Sequence, residues 1–235
     1  MIALQDAVFL AKEIGKEKDA HAMQKRIDVL TKSINTGFWD EEKGCYADNL
    51  DRTSYSAHAS LFAVRAGIVS KSQLERIKKY VSFELRSLFV NGFSPDAGTY
   101  VSPSFCFYIF DGLYKAGLQD VAEKLMKDGW GWALSQNYKT APEYFEKHTQ
   151  NSMCHAWSAS PMYYLSCKVL GIRFPKAPDL NYVEILVQTN TLSFAEGQYP
   201  HPNGGTIDVK WHLKDGKRVF DYVKAPDGVV VSIVG

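Results

Sequence analysis

Helical segments of two kinds alternate through residues 1–174, and that alternation restricts the fold more than any single motif in the chain. Ala20, Met23, Ile27, Leu30 and Ile34 recur at three- and four-residue steps, as do Leu74, Ile77, Val81 and Leu85, so each segment carries one apolar stripe opposite a charged face. Such helices belong on the outside of a bundle. Residues 55–69, 104–116 and 155–170 are apolar almost all round, with 2–14 a weaker case. A helix of that kind has to be ringed by others. Each inner and outer pair with its loop takes roughly fifty residues, the spacing of stacked helical hairpins. The pattern predicts an α/α toroid whose inner helices line a funnel. A closed ring needs about six hairpins, and this chain supplies seven helices at most. It therefore reads as the last half of a ring, with inner-helix faces bare unless a longer parent, the arc itself or a partner covers them.

Composition changes at residues 174–178, FPKAP, where the chain becomes rich in β-branched residues. The domain boundary is expected there, giving a partial barrel over 1–174 and a small β-domain over 175–235. Ile207, Val209, Trp211 and Leu213 alternate on one face, and Val219 and Tyr222 offer a matching set. Asp215-Gly216 and Asp227-Gly228 are hairpin turns by composition. With 183–187, 192–195 and 229–234 this predicts about five short antiparallel strands. So short a segment buries a thin core, so the sheet should dock on the helices or form one face of a sandwich.

With 235 residues and a net charge of +1, the chain offers no electrostatic attraction for nucleic acid or an anionic membrane. Asp6, Lys12, Glu13, Lys16, Glu17, Lys18 and Asp19 interrupt what would be the apolar centre of a signal peptide. No run approaches the ~20 apolar residues of a membrane span. Compartment stays open, including export of a longer parent to the periplasm or beyond. Cys45, Cys106, Cys154 and Cys167 are unevenly spaced, the last three in apolar surroundings, which predicts buried thiols rather than a disulfide framework.

The chemistry concentrates in residues 139–171, KTAPEYFEKHTQNSMCHAWSASPMYYLSCKVLG. Glu143 and Glu146 sit one helical turn apart in a segment interrupted by Pro142, which puts at least one carboxylate in a loop entering the next helix. His155 and Trp157 offer a hydrogen-bond donor and an aromatic face, the groups that hold a sugar ring. Each has a plain alternative. The Glu pair could be a solvated first turn favoured by the helix dipole, His155 a core histidine bonded to a carbonyl, and Trp157 core packing. His58, at the start of an inner helix, and Tyr100 with Asp96, in the loop SPDAGTY, could line the funnel mouth or serve structure alone. Trp130 and Trp132, beside Gly129 and Gly131, fit the packing of an outer helix. Other chemistries lack their residues: no clustered metal ligands, no G-x-S-x-G elbow, no phosphate-cradling loop at a helix start, and hence no cofactor is expected.

Cys154, His155, Ala156, Trp157, Ser158, Ala159 and Pro161, read with Thr140, Glu143, Tyr144 and Phe145, resemble the C-terminal end of the catalytic region in α-L-rhamnosidases of glycoside hydrolase family 78. The resemblance continues through Leu192, Ser193, Phe194, Ala195, Glu196 and Gly197 and the strand TIDVKW, and reaches back to Phe38, Trp39, Asp40 and His58. It implies an inverting glycosidase on an (α/α)₆ barrel that takes a rhamnoside. Glu143 matches the family's general base, with Pro142 where the family commonly has Trp and with Glu146 as the competing position. His155 matches the histidine near the sugar. The general acid of the family lies in an upstream segment absent from this chain; Trp39, Asp40, Glu41 and Glu42 resemble it only superficially. The resemblance thus implies a base without its acid, completed by the upstream half of the barrel in a longer parent, and a chain inactive alone. Two alternatives remain: a noncatalytic carbohydrate-binding or scaffolding half-barrel, and an inverting toroidal glycosidase for another sugar.

Overall fold

A computed structural model describes residues 1–86, 100–145, 152–175 and 179–234. The helices are α1 (Ile2–Glu13), α2 (Glu17–Phe38), α3 (Ala57–Arg65), α4 (Lys71–Glu84), α5 (Cys106–Ala116), α6 (Gln119–Ser135) and the short α7 (Ser160–Tyr164). They form an incomplete ring of hairpins, with α3, α5 and α7 inside and α2, α4 and α6 outside. The stripe on α4 buries Ile77 and Val81 while Lys71, Glu75 and Lys79 face water. Ala57, Leu61, Val64, Ile109, Phe110 and Leu113 of α3 and α5 join them in one core with Tyr164 of α7. Close approach of the two inner helices depends on Gly112, where a Cβ would lie 2.9 Å from the Leu61 Cβ. Hairpin α1/α2 has its own small cluster, Val8, Ala11, Ala20 and Ile27. The Gln5 amide donating to the Ala66 carbonyl (2.8 Å) and Asn35 donating to the Ile68 carbonyl (3.1 Å) tie it to the rest.

The arc leaves apolar faces open at its edges. Phe9 and Leu10 on α1, Ile14 just beyond it, and Met162 and Tyr163 on α7 are exposed. These are the bare faces of an open arc. The segment 155–170, which the sequence presents as one helix, is three: a 3₁₀ turn (Ala156–Ala159), α7 and a π turn (Leu165–Val169) in which the Leu170 amide reaches back to the Leu165 carbonyl (2.9 Å).

Two short strands, β1 (Trp39–Asp40) and β2 (Cys45–Tyr46), form a hairpin between α2 and α3. The C-terminal region contains β3 (Ile172–Arg173), β4 (Tyr182–Ile185), β5 (Phe194–Pro200), β6 (Thr206–Lys214), β7 (Lys217–Lys224) and β8 (Val230–Ile233). They make two three-stranded sheets, β3-β4-β8 and β5-β6-β7. Asp215-Gly216 is the tight turn of the β6/β7 hairpin, with both residues at positive φ. Antiparallel pairing holds everywhere but at β8, which runs parallel to β4 with Tyr182 opposite Val230. Asp227-Gly228 does turn the chain, yet the strand after it leaves β7 and joins the other sheet, a choice of partner that turn composition does not encode. Val183 and Ile185 from one sheet, and Ile207, Val209 and Trp211 from the other, share a core with Val169 and Leu170. The Trp211 indole donates to the Val169 carbonyl (2.9 Å), so β6 is fixed to the end of the helical region. No helix among the described residues is long and apolar enough to cross a membrane.

Candidate active site

Residues 140–145 and 152–155 lie side by side as two irregular limbs. The Glu143 amide donates to the Ser152 carbonyl (2.9 Å), and the Ser152 amide donates back to the Glu143 carboxylate, Oε2 (3.2 Å). Further along, the His155 amide donates to the Ala141 carbonyl (2.9 Å) and the Thr140 hydroxyl donates to Met153 O. Pro142 is buried and withholds an N–H, which keeps this stretch out of a helix. Glu143 is therefore a half-buried loop carboxylate, not a member of a solvated helical turn. Glu146 lies outside the described residues, as does Asp96.

Phe145, two residues on, plugs the loop into α6. It is 2% exposed and meets the Trp130 ring edge-to-face at 4.9 Å and the Trp132 ring at 6.3 Å. Gly129 leaves room for it. The Trp130 indole also donates to the Ser158 carbonyl (2.8 Å). One tryptophan thus holds both the Glu143 limb, through Phe145, and the turn that follows His155. Sequence reasoning assigns Trp130 to helix packing; this second task depends on a contact across 28 residues that no local pattern reveals.

His155 is half-buried, and its ring meets that of Trp157 edge-to-face at 5.7 Å. Trp157 is 78% exposed, so it is not core packing. His58 sits in the first turn of α3 against Phe105, with ring centroids 5.6 Å apart. Burial holds its pKa below the ordinary 6.5, with Asp48 opposing, so the ring stays neutral near pH 7. Tyr100 packs half-buried against the helical core. Between Phe105 and Trp157 opens a cleft of about 600 Å³, walled also by Phe107, Tyr108, Ser160 and Tyr163. The three aromatic residues among these escape a sequence reading because an aromatic on an apolar helix reads as core. One turn further along the inner helices, Arg65 pairs with Asp111 (2.8 Å), which Lys115 also reaches (3.2 Å). The aromatic cleft is thus followed by an ionic layer. A groove of about 670 Å³ along α6, bounded by Leu134, Leu165 and Leu192, is larger; Glu143 and His155 line neither it nor the aromatic cleft, which reaches that region through Trp157.

Asp40 and Glu41, beside Trp39, are occupied in structural tasks. Asp40 accepts from the Lys43 amide (2.9 Å) and the Tyr55 hydroxyl (2.7 Å), bonds that hold its carboxyl below the usual range. Glu41 pairs with Arg76 of α4. A carboxyl that stays ionised is a poor proton donor. Among the cysteines, Cys45 and Cys106 are buried and Cys167 is half-buried, whereas Cys154 is exposed because it lies on the irregular second limb. All four are free thiols. No cluster of three or more metal-ligating side chains occurs among the described residues.

An arc of helical hairpins, with a loop carboxylate and an aromatic cleft at the ends of its inner helices and a β-region behind, defines part of a six-hairpin glycosidase. Residues 1–169 match the bacterial α-L-rhamnosidase six-hairpin glycosidase domain, and the chain belongs to that family. An α-L-rhamnosidase of Alteromonas sp. (strain LOR) is 25% identical over 219 residues, covering 86% of this chain and 22% of that protein. The crystal structure of a GH78 family rhamnosidase of Bacillus sp. GL1 superimposes with a TM-score of 0.79 at 30% identity, over 99% of this chain and 25% of that one. A rhamnosidase from Klebsiella oxytoca with rhamnose bound shares the fold, with a TM-score of 0.56 at 23% identity over 69% of this chain and 31% of that one. The chain thus spans about a quarter of the length of these relatives.

Proposed function

We propose that this chain is the C-terminal part of an inverting glycoside hydrolase that releases terminal α-L-rhamnose, with Glu143 as the general base. The observation that carries this reading is the two-way pairing of Glu143 with Ser152, amide to carbonyl in one direction and Ser152 amide to the Glu143 carboxylate in the other, on limbs that continue directly into His155 and Trp157. A base must hold its carboxylate in one place while a water molecule loses a proton to it, and a side chain bonded by a backbone amide is held in that way. Inversion requires a second carboxyl roughly 6.5 to 9.5 Å away that protonates the leaving oxygen while the activated water attacks the opposite face of the sugar. The low-pKa Asp40 and the ion-paired Glu41 do not suit that task, and on this reading the acid is supplied by the upstream half of the barrel in a longer parent. Residues 1–174 then contribute the partial barrel and 175–235 the β-domain. His155 and Trp157 contact the sugar as donor and stacking face, and His58 and Tyr100 flank the mouth. The names of the Alteromonas and Bacillus relatives support rhamnose as the sugar.

The test is Glu143→Gln in the intact parent, assayed on an aryl α-L-rhamnoside. Turnover should fall by about 10²- to 10⁴-fold, with rhamnose binding retained and the wild-type enzyme releasing the inverted anomer by proton NMR. Unchanged hydrolysis overturns the base assignment, and loss in Glu146→Gln instead moves the base to Glu146. The 235-residue chain alone should not turn over such substrates.

A further inference from the structure

The aromatic cleft lies at one end of the inner helices, and cations gather at the other. His155 and Trp157 precede α7, whereas Lys168 and Arg173 follow it, in the π turn and in β3. There a separate pocket of about 400 Å³, within the range of small-ligand sites, is walled by Tyr163, Ser166, Lys168, Arg173, Phe174 and Tyr199. The charges around it do not balance. Asp111 is divided between Arg65 (2.8 Å) and Lys115 (3.2 Å), and Glu184 pairs with Arg173 Nη2 (2.6 Å). The Lys168 ammonium donates to the neutral Gln188 side-chain oxygen (2.8 Å) and has no carboxylate partner among the described residues. Burial holds the Lys168 pKa below its ordinary 10.5; Arg173 and Lys115 push the same way, and Cys167 and Asp111 oppose. A cation in that setting gains from an anion brought to it.

The walls narrow the choice of anion. Arg173 Nε is sealed inside the protein and takes no part, but Nη1 makes no hydrogen bond among the described residues and the side chain is 34% exposed. Donors of a planar fork are thus left over, and such a fork suits a carboxylate. The rings of Phe174 and Tyr199 lie 6.0 Å apart, and Tyr163 is 55% exposed. Aromatic faces of this kind suit the C–H groups of a sugar ring. Ser166 Oγ donates to the Met162 carbonyl (2.9 Å), which leaves its lone pairs to accept from a sugar hydroxyl. We propose that this pocket is a second carbohydrate site, for a hexuronate whose carboxylate binds Arg173 and Lys168 while its ring lies against Tyr163 and Tyr199. Such a site holds an acidic glycan at a distance from the Glu143 limb. It depends neither on Glu143 as the base nor on rhamnose as the sugar released.

Methyl β-D-glucuronide and methyl β-D-glucoside differ only at C6, carboxylate against hydroxymethyl, and inorganic sulfate supplies an anion without a ring. In calorimetric titration of the 235-residue chain at low ionic strength, the glucuronide should bind at least ~10-fold more tightly than the glucoside. It should also bind more tightly than sulfate, and added salt should weaken it by screening. Arg173→Lys, which keeps the charge facing Glu184 but loses the fork, and Lys168→Gln should each bring the glucuronide down towards the glucoside. Excess L-rhamnose should leave glucuronide binding unchanged; displacement would put the acidic sugar in the aromatic cleft and overturn a second site. No binding of the glucuronide, equal binding of the two glycosides, or sulfate binding as tightly as the glucuronide overturns the uronate site and leaves the hydrolase reading standing. The wild-type comparison decides the question even if a variant does not fold.

Discussion

Glu143 owes its position to Ser152 on one side and, through Phe145, to Gly129 on the other. A Cβ at Gly129 would lie 2.6 Å from Phe145 Cζ, so Gly129→Ala forces the ring, and with it the loop, to move. Overpacking costs about 1–3 kcal/mol, against about 1 kcal/mol regained by removing a helical glycine. The balance is a net loss of up to about 2 kcal/mol in urea unfolding, together with reduced activity in the parent; a raised midpoint would show that the Phe145 seat is loose. His58 carries a pH signature. Its folded pKa lies below 6.5 because of burial, so its contribution to stability is complete above about 6.5 and declines as the unfolded chain takes up a proton that the folded ring refuses. The decline levels off below the folded pKa. His58→Phe keeps the contact with Phe105 and should flatten stability between about pH 7 and pH 5; an unaltered slope would mean that His58 is not shielded. The sequence singles out Glu143, His155 and Trp157 as candidates because their chemistry is distinctive, and the structure brings their two limbs side by side. It does not single out Tyr108 and Tyr163, because only the open arc converts core-type aromatics into exposed ones.

Regular periodicity carried over into regular elements. The stripe of α4 is a case in point, and Ser70 begins the helix with a reciprocal cap: the Gln73 amide donates to Ser70 Oγ (3.2 Å) and the Ser70 amide to Gln73 Oε1 (2.8 Å). Ser70→Ala should cost about 1 kcal/mol of stability and leave sugar binding untouched, since α4 is an outer helix. A change in binding would mean that the outer ring is coupled to the cleft. Where the structure departs from the sequence reading, long-range partners are the cause. The π turn at Leu165–Val169 offers no periodic signal, yet it ends at the carbonyl that Trp211 requires. Gly171 follows at φ +86°, where a Cβ would lie 2.7 Å from the Leu186 backbone, and the Leu186 amide closes on its carbonyl (2.8 Å). This glycine permits β4 to lie against the end of the helical region. The parallel pairing of β8 with β4 is likewise set by the shared core and not by the turn before it.

Across the whole molecule, the bare faces cluster at the two edges of the arc. Phe9, Leu10 and Ile14 mark the α1 edge; Leu134, Met162 and Leu165 mark the α6/α7 edge, all 47% exposed or more. Scattered apolar side chains are ordinary on a protein surface, but contiguous ones call for a cover. On the proposed reading, the remaining hairpins of a longer parent would supply it, burying both edges as they close the ring. The isolated chain has no such cover, so it should self-associate with rising concentration in sedimentation velocity and bind an environment-sensitive apolar dye. Replacing Met162 and Leu165 by lysine should weaken the association while leaving the core, which contains neither, intact. Adding the upstream half of the parent barrel as a separate chain should suppress both signals by taking the same surface. A monomer at every concentration, with no dye binding, would show that the edges are self-sufficient and that the arc needs no other half.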